Sequence, residues 1–141
     1  LLILQRDRQR HFGEDKAKVE TALQPATLLD ARREVAEIHV ADMLERYIVT
    51  LVNATRNLGE WQPEWSDYVR AGASPRASIA MLRASSALAY LRGRDHVTPE
   101  DIIDVTPDVL RHRIILGYNA RAAEVSRDDI VQSLIDKVPV P

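Results

Sequence analysis

Arg76 is the residue whose type and position best fit binding chemistry in this sequence. It follows Ser74 and Pro75, a pair that predicts the start of a helix, because serine caps free N–H groups and proline fits the first helical position. A cation near that positive helix end is unfavourable by roughly 0.3–1 kcal/mol, whereas an anion such as phosphate is favoured there. Arg83 lies seven residues further on, near the same helix face. By themselves these patterns still favour two solvated arginines, the ordinary state of surface arginines.

The sequence contains no recognisable complete catalytic or metal site. There is no glycine-rich phosphate loop followed by Lys-Ser or Lys-Thr. The four histidines are scattered and lack metal-ligand spacing. The acidic pairs Glu100/Asp101 and Asp128/Asp129 fall in predicted first turns, where they complement the helix dipole without acid–base work. No catalytic residue and no metal ligand are therefore predicted.

The stretch after Pro75 predicts the central helix of the domain. It is apolar on nearly every side, which is typical of a helix surrounded by other elements, and we expect Ile79, Leu82 and Leu88 in the core. Further helices are predicted to begin near Thr27, Ala41, Thr98, Thr106 and Ser126, with capping-box spacing from Thr98 to Asp101 and from Ser126 to Asp129. The helix from Ala41 is expected to end at Gly59, and residues 60–73 to form a loop. The fold class is all-α, a bundle of about five to six helices.

Composition narrows the class of protein. The chain has 141 residues, of which 45% are hydrophobic and 28% charged, as expected for one globular domain with a core. The net charge of −2 argues against a general nucleic-acid binder. The absence of cysteine and of a long apolar run favours a cytoplasmic protein without a membrane span.

The chain begins Leu-Leu-Ile-Leu without methionine, so we expect a piece of a longer protein. Residues 1–23 are weakly patterned and charged, which predicts the end of a linker or helix from a preceding domain. Residues 24–141 are then the helical domain.

Three motifs together resemble the C-terminal lid domain of MoxR-family AAA+ ATPases. They are Gly72-Ala73-Ser74-Pro75-Arg76-Ala77, the stretch from Arg92 to Asp101, and Val109-Leu110-Arg111-His112-Arg113-Ile114. The closing Val-Pro-Val-Pro also resembles the end of that family's chain. The resemblance runs from about Gln24 to Pro141. Small departures fall at Ser85-Ser86 and Gly117.

The resemblance implies both a fold and a role. It implies a helical lid that follows an α/β nucleotide-binding domain, with ATP and Mg bound in the longer protein. Arg76 would be the sensor 2 arginine that approaches the ATP γ-phosphate, with Ser74 and Pro75 forming the helix N-terminus beside it. The family also implies ring oligomers, usually hexamers, that act as chaperone-like ATPases maturing partner enzymes, often with a von Willebrand factor A domain protein. Because the phosphate loop is missing, this chain alone should neither hydrolyse ATP nor bind it tightly.

The sequence also permits two other classes of protein. The alanine-rich helix, the Arg-Gly-Arg turn and the Val-Thr-Pro-Glu-Asp helix start are also similar to the histone-type fold, a non-enzymatic interaction module. A third reading is an adaptor that docks partners through the loop carrying Trp61, Trp65 and Tyr68. For these aromatics, packing of the loop onto the core is the commoner role.

Overall fold

The computed structural model describes residues 23–141. Seven α-helices make up most of this part of the chain: α1 Pro25–Glu37, α2 Asp42–Ala54, α3 Leu58–Trp61, α4 Arg76–Leu91, α5 Pro99–Leu110, α6 Tyr118–Ala122 and α7 Arg127–Lys137. Two short strands, β1 Val69–Ala71 and β2 Ile115–Leu116, and two 3-10 turns, Pro63–Trp65 and Arg111–Arg113, complete it. The predicted all-α class is confirmed.

Backbone contacts divide the chain into two units, residues 1–31 and residues 32–141. Helix α1 begins in the first unit, ends in the second and carries no buried residue. The predicted linker over residues 1–23 lies, except for Leu23, outside the described residues. No helix between residues 23 and 141 is long and apolar enough to cross a membrane.

Helix α4 is central, but it buries one face rather than its whole circumference. The buried face repeats every fourth residue through Ala77, Met81, Ser85 and Ala89, which places these side chains in one row along the helix. This row of mostly small residues lets α4 pack closely along α5 and α2, its main helical neighbours.

The expectation that α4 buries Ile79, Leu82 and Leu88 is largely wrong. Ile79 is 52% exposed, because it lies off the buried row. Leu82 is partly buried against the core, and Leu88 is only half-buried. Helices α2, α5 and α7 supply much of the remaining core, including Leu51, Ile102 and Leu134.

Helix α5 continues through a proline at which a new helix start was predicted. The hydroxyl of Thr106 is buried and donates to the Ile102 carbonyl at 2.6 Å, so Thr106 serves its own helix instead of capping another. Pro107 removes one helix hydrogen bond without ending the helix. The helix predicted to carry Val109, Leu110 and Ile114 to about Leu116 does not form: Val109 and Leu110 end α5, and a 3-10 turn and β2 follow.

The segment after α2 contains regular secondary structure, whereas a loop was predicted over residues 60–73. Gly59, expected to end α2, lies inside α3, and α2 ends with Thr55 as its C-terminal cap residue. Further on, β1 pairs antiparallel with β2, with Val69 opposite Leu116. These strands have three and two residues, too few for an alternating pattern to appear in the sequence.

Replacing Met81 with alanine is expected to lower the free energy of unfolding by about 2–5 kcal/mol, the usual cost of a cavity at a fully buried site. Leu88→Ala is the matched comparison and should cost clearly less, because Leu88 is only half-buried. Urea unfolding followed by circular dichroism measures both. Equal losses would contradict the one-sided burial of α4.

Candidate functional site

The side chain of Arg76 lies exposed at the first residue of α4. It makes no hydrogen bond or ion pair with any residue between 23 and 141. The first turn of α4 contains no acidic residue that could neutralise it. The guanidinium is therefore available to an anion from outside this part of the chain.

Ser74 and Pro75 precede the helix in a way that differs from the prediction. The Ser74 hydroxyl makes no capping bond, and Pro75, in helical conformation, is the N-cap residue. The backbone carbonyls act instead: Ser74 accepts from the N–H of Ala77 at 2.8 Å and Pro75 from that of Ser78 at 3.1 Å. These two first-turn N–H groups are therefore already bonded, which leaves the Arg76 guanidinium as the exposed charged donor at this helix start.

The turn before Arg76 is fixed by contacts with the end of α2. The N–H of Ala73, a fully buried residue, donates to the Thr55 hydroxyl at 2.8 Å. Gly72 passes so close to Thr55 that an added Cβ would lie 2.6 Å from its carbonyl carbon. Only glycine fits such a close backbone approach, so the backbone at Gly72 and Ala73 is held against the end of α2.

The strand pairing holds the other end of the same segment. The N–H of Gly117 donates to the Tyr68 carbonyl at 2.8 Å. A Cβ at residue 117 would meet the Asp67 carbonyl oxygen at 2.6 Å. The backbone leading to Arg76 is therefore held by β2 on one side and by Thr55 on the other.

Replacing Gly72 with alanine is expected to destabilise the domain by about 1–3 kcal/mol, since the new methyl group must displace backbone atoms of Thr55 rather than a flexible side chain. Thermal unfolding of the 141-residue chain measures this loss. An unchanged melting temperature would show that residues 72 and 55 are not in close contact.

Asp101 forms a second polar cluster, with Arg92, Arg94 and Thr98. Its carboxylate is fully buried and accepts from Arg92 at 2.8 Å and from Arg94 at 2.6 and 2.8 Å. It also accepts from the Thr98 backbone N–H at 3.0 Å, as the predicted capping box requires. Burial alone would raise the pKa of this carboxyl, but the bonds from Arg94, Thr98 and Arg92 outweigh it, so its pKa is lowered. The cluster joins the Arg92–Asp95 turn to α5.

The remaining candidates do not join the site. Arg83 is exposed and makes no hydrogen bond or ion pair with another residue between 23 and 141, the surface state predicted for it. Trp61, Trp65 and Tyr68 pack against the core, with the Trp65 and Tyr68 rings stacked 5.7 Å apart. The packing interpretation of these aromatics is therefore confirmed. Among the described residues, no group of three or more His, Cys, Asp or Glu side chains could hold a metal ion.

The sequence interpretation missed Thr55. A threonine near a helix C-terminus has no local pattern that distinguishes it from a surface residue. Its partner Ala73 is 18 residues away, so only the folded structure brings them together.

Comparison with known proteins agrees with this architecture. The AAA lid domain family matches residues 65–134. Chaperone MoxR1 of Mycobacterium tuberculosis is 38% identical over 133 residues, which cover 92% of this chain and 35% of that protein. Protein MoxR of Paracoccus denitrificans is 36% identical over 112 residues, covering 73% of this chain and 32% of that protein.

A solved structure has the same fold. The crystal structure of a candidate ATPase from Cytophaga hutchinsonii superposes with a TM-score of 0.78 at 39% identity, over 82% of this chain and 36% of that one. The chain thus spans about a third of the length of the proteins it matches. It belongs to the MoxR family of AAA+ ATPases, and its helical part is the lid domain of that family.

Proposed function

We propose that this chain is the sensor 2 lid of an ATP-driven, chaperone-like machine, and that Arg76 contacts the γ-phosphate of ATP. The observation that carries the proposal is the state of Arg76: an exposed arginine without a partner within residues 23–141, on a backbone turn that is fixed at both ends. A solvated arginine needs no such fixed turn. An arginine that must meet a phosphate oxygen benefits from one, because positioning contributes to catalysis.

The residues present fit a nucleotide only in part. Arg76 offers a planar set of donors suited to phosphate oxygens, and Ser74 and Pro75 set the start of its helix. The sequence contains no phosphate loop, so the main contacts to ATP and Mg²⁺ would come from a separate α/β nucleotide-binding domain. Bound ATP supplies the phosphoryl group; this chain supplies a cation that is directed at it.

The wider arrangement follows from the family. We propose that residues 1–23 lead in from the nucleotide-binding domain and that residues 24–141 form the lid, in a cytoplasmic protein. Ring assembly, as a hexamer, would place the lid beside its own ATPase core and a neighbouring subunit. A von Willebrand factor A domain protein and the enzyme being matured are the proposed partners, with neither nucleic acid nor membrane among them.

Lid movement gives a direct test. The chain contains no cysteine, so Tyr118→Cys, at a position 83% exposed, would give one fluorophore site on the lid, paired with a second fluorophore on the nucleotide-binding domain of the longer protein. Adding a non-hydrolysable ATP analogue should change the energy transfer between them, and Arg76→Ala should abolish that change.

Arg127→Ala is the matched control, because Arg127 is also an exposed arginine at the first residue of a helix. It should leave the energy-transfer change intact. An equal response in the Arg76 and Arg127 variants would refute the sensor assignment.

A further inference from the structure

The hydroxyl of Thr55 makes hydrogen bonds to two backbone partners. It donates to the Val52 carbonyl at 2.7 Å and accepts from the Ala73 N–H at 2.8 Å. Thr55 and Ala73 are both fully buried, so water cannot replace either bond. Because the hydroxyl hydrogen is committed to Val52, a lone pair faces Ala73, and the bond has a defined direction.

The position of Ala73 controls the position of Arg76. Only Ser74 and Pro75 separate them, and the proline ring restricts its own backbone rotation. The preceding residue, Gly72, lies against the Thr55 carbonyl without room for a side chain. A shift of Ala73 is therefore passed on to the first residue of α4.

We infer that Thr55 is a positioning residue for Arg76: its hydroxyl sets where the guanidinium stands relative to the nucleotide phosphate. This inference rests on the proposed function. Thr55 is fully buried, so it would act only through Arg76.

Thr106 provides a matched control within the same domain. It is also fully buried, and its hydroxyl also donates to a carbonyl of its own helix, that of Ile102 at 2.6 Å. Its hydroxyl accepts no bond from the turn before Arg76. Removing either hydroxyl costs a buried side-chain bond, but only removal at residue 55 releases Ala73.

The first measurement is amide hydrogen exchange on the 141-residue chain. Thr55→Val should speed the exchange of the Ala73 amide about 10-fold or more, the order expected when a buried donor loses its acceptor. Thr106→Val should leave this amide unchanged. Unchanged exchange at Ala73 in Thr55→Val would overturn the inference, whatever the activity.

The second measurement is ATP hydrolysis by the longer protein, well below the melting temperature of every variant. Thr55→Val should lower kcat about 10-fold with little change in KM, since a displacement of about 1 Å can cost on the order of 10²-fold. Thr106→Val should hydrolyse at the wild-type rate. Thr55→Ser keeps the hydroxyl and should also retain kcat; a loss in this variant equal to that of Thr55→Val would mean that packing matters rather than the bond, and would overturn the inference.

The double variant separates the two proposals. If Thr55 acts through Arg76, Thr55→Val combined with Arg76→Ala should be no slower than Arg76→Ala alone. A large effect of Arg76→Ala with none of Thr55→Val would overturn the positioning role and leave the sensor role standing. A wild-type rate in Arg76→Ala would overturn both.

Discussion

Replacing Arg76 with alanine is expected to lower ATP hydrolysis by the longer protein on the order of 10²-fold. A positioned donor to transition-state charge is worth about 10²–10³ in rate, and an arginine supplied directly to phosphoryl transfer about 10³–10⁵. A sensor arginine falls at or below the lower range, because part of its effect is on lid closure. Stability should change by no more than about 0.5 kcal/mol, since the side chain is exposed and makes no hydrogen bond or ion pair within residues 23–141.

The combination of a lost rate and a retained melting temperature is the decisive result. Arg76→Lys should restore only part of the rate, because lysine keeps the charge but lacks the planar fork of donors. Arg127→Ala should match the wild type in both measurements. Hydrolysis at the wild-type rate in Arg76→Ala would leave Arg76 as an ordinary solvated arginine.

Replacing Asp101 with alanine is expected to lower the free energy of unfolding by about 3 kcal/mol, since hydrogen bonds to a charged group are worth about 1.5–3 kcal/mol and partial exposure of Arg92 and Arg94 screens their charges. The change leaves Arg92 and Arg94 without their buried partner and removes the acceptor of the Thr98 N–H. Asp104→Ala is the control: Asp104 is an exposed partner of Arg92, and loss of a surface pair costs about 0–1 kcal/mol. Urea unfolding at neutral pH measures both, and similar losses would contradict a structural role for the buried cluster.

Acid should weaken the same cluster. Because the pKa of Asp101 is lower in the folded chain than in the unfolded one, its stabilisation is fully present above the unfolded value of about 3.9. That stabilisation is lost as the pH falls through the folded value. The wild type should therefore lose more stability than Asp101→Asn on titration from pH 5 downward, and parallel titration curves would contradict this.

Where the deciding contacts are local, the sequence predicts the structure well. The capping boxes of α5 and α7 each join two residues three positions apart, Thr98 with Asp101 and Ser126 with Asp129, and both were predicted. The exposure of Arg76 was also expected, because most surface arginines are simply solvated.

Contacts between distant segments explain the predictions that were wrong. Serine is a common helix cap, but the turn that contains Ser74 is set by Thr55. The Ser74 hydroxyl therefore makes no capping bond. Threonine before proline is typical of a helix start, but Thr106 is buried and its hydroxyl donates to the Ile102 carbonyl instead. Ile79 is as apolar as a core residue, and only the packing partners of α4 decide that the row through Met81 faces inward.

The pairing of β1 with β2 also bears on the order in which the domain folds. Val69 pairs with Leu116, and both α4 and α5 lie between them in the chain. Closing so long a loop costs chain entropy, so we expect this pairing to form after the local contacts of the helices. The strand pairing helps to fix the backbone that leads to Arg76, and a newly made or partly unfolded lid would therefore carry the arginine without its geometry. If Arg76 responds to nucleotide as proposed, the domain is expected to acquire that response only once this pairing has formed.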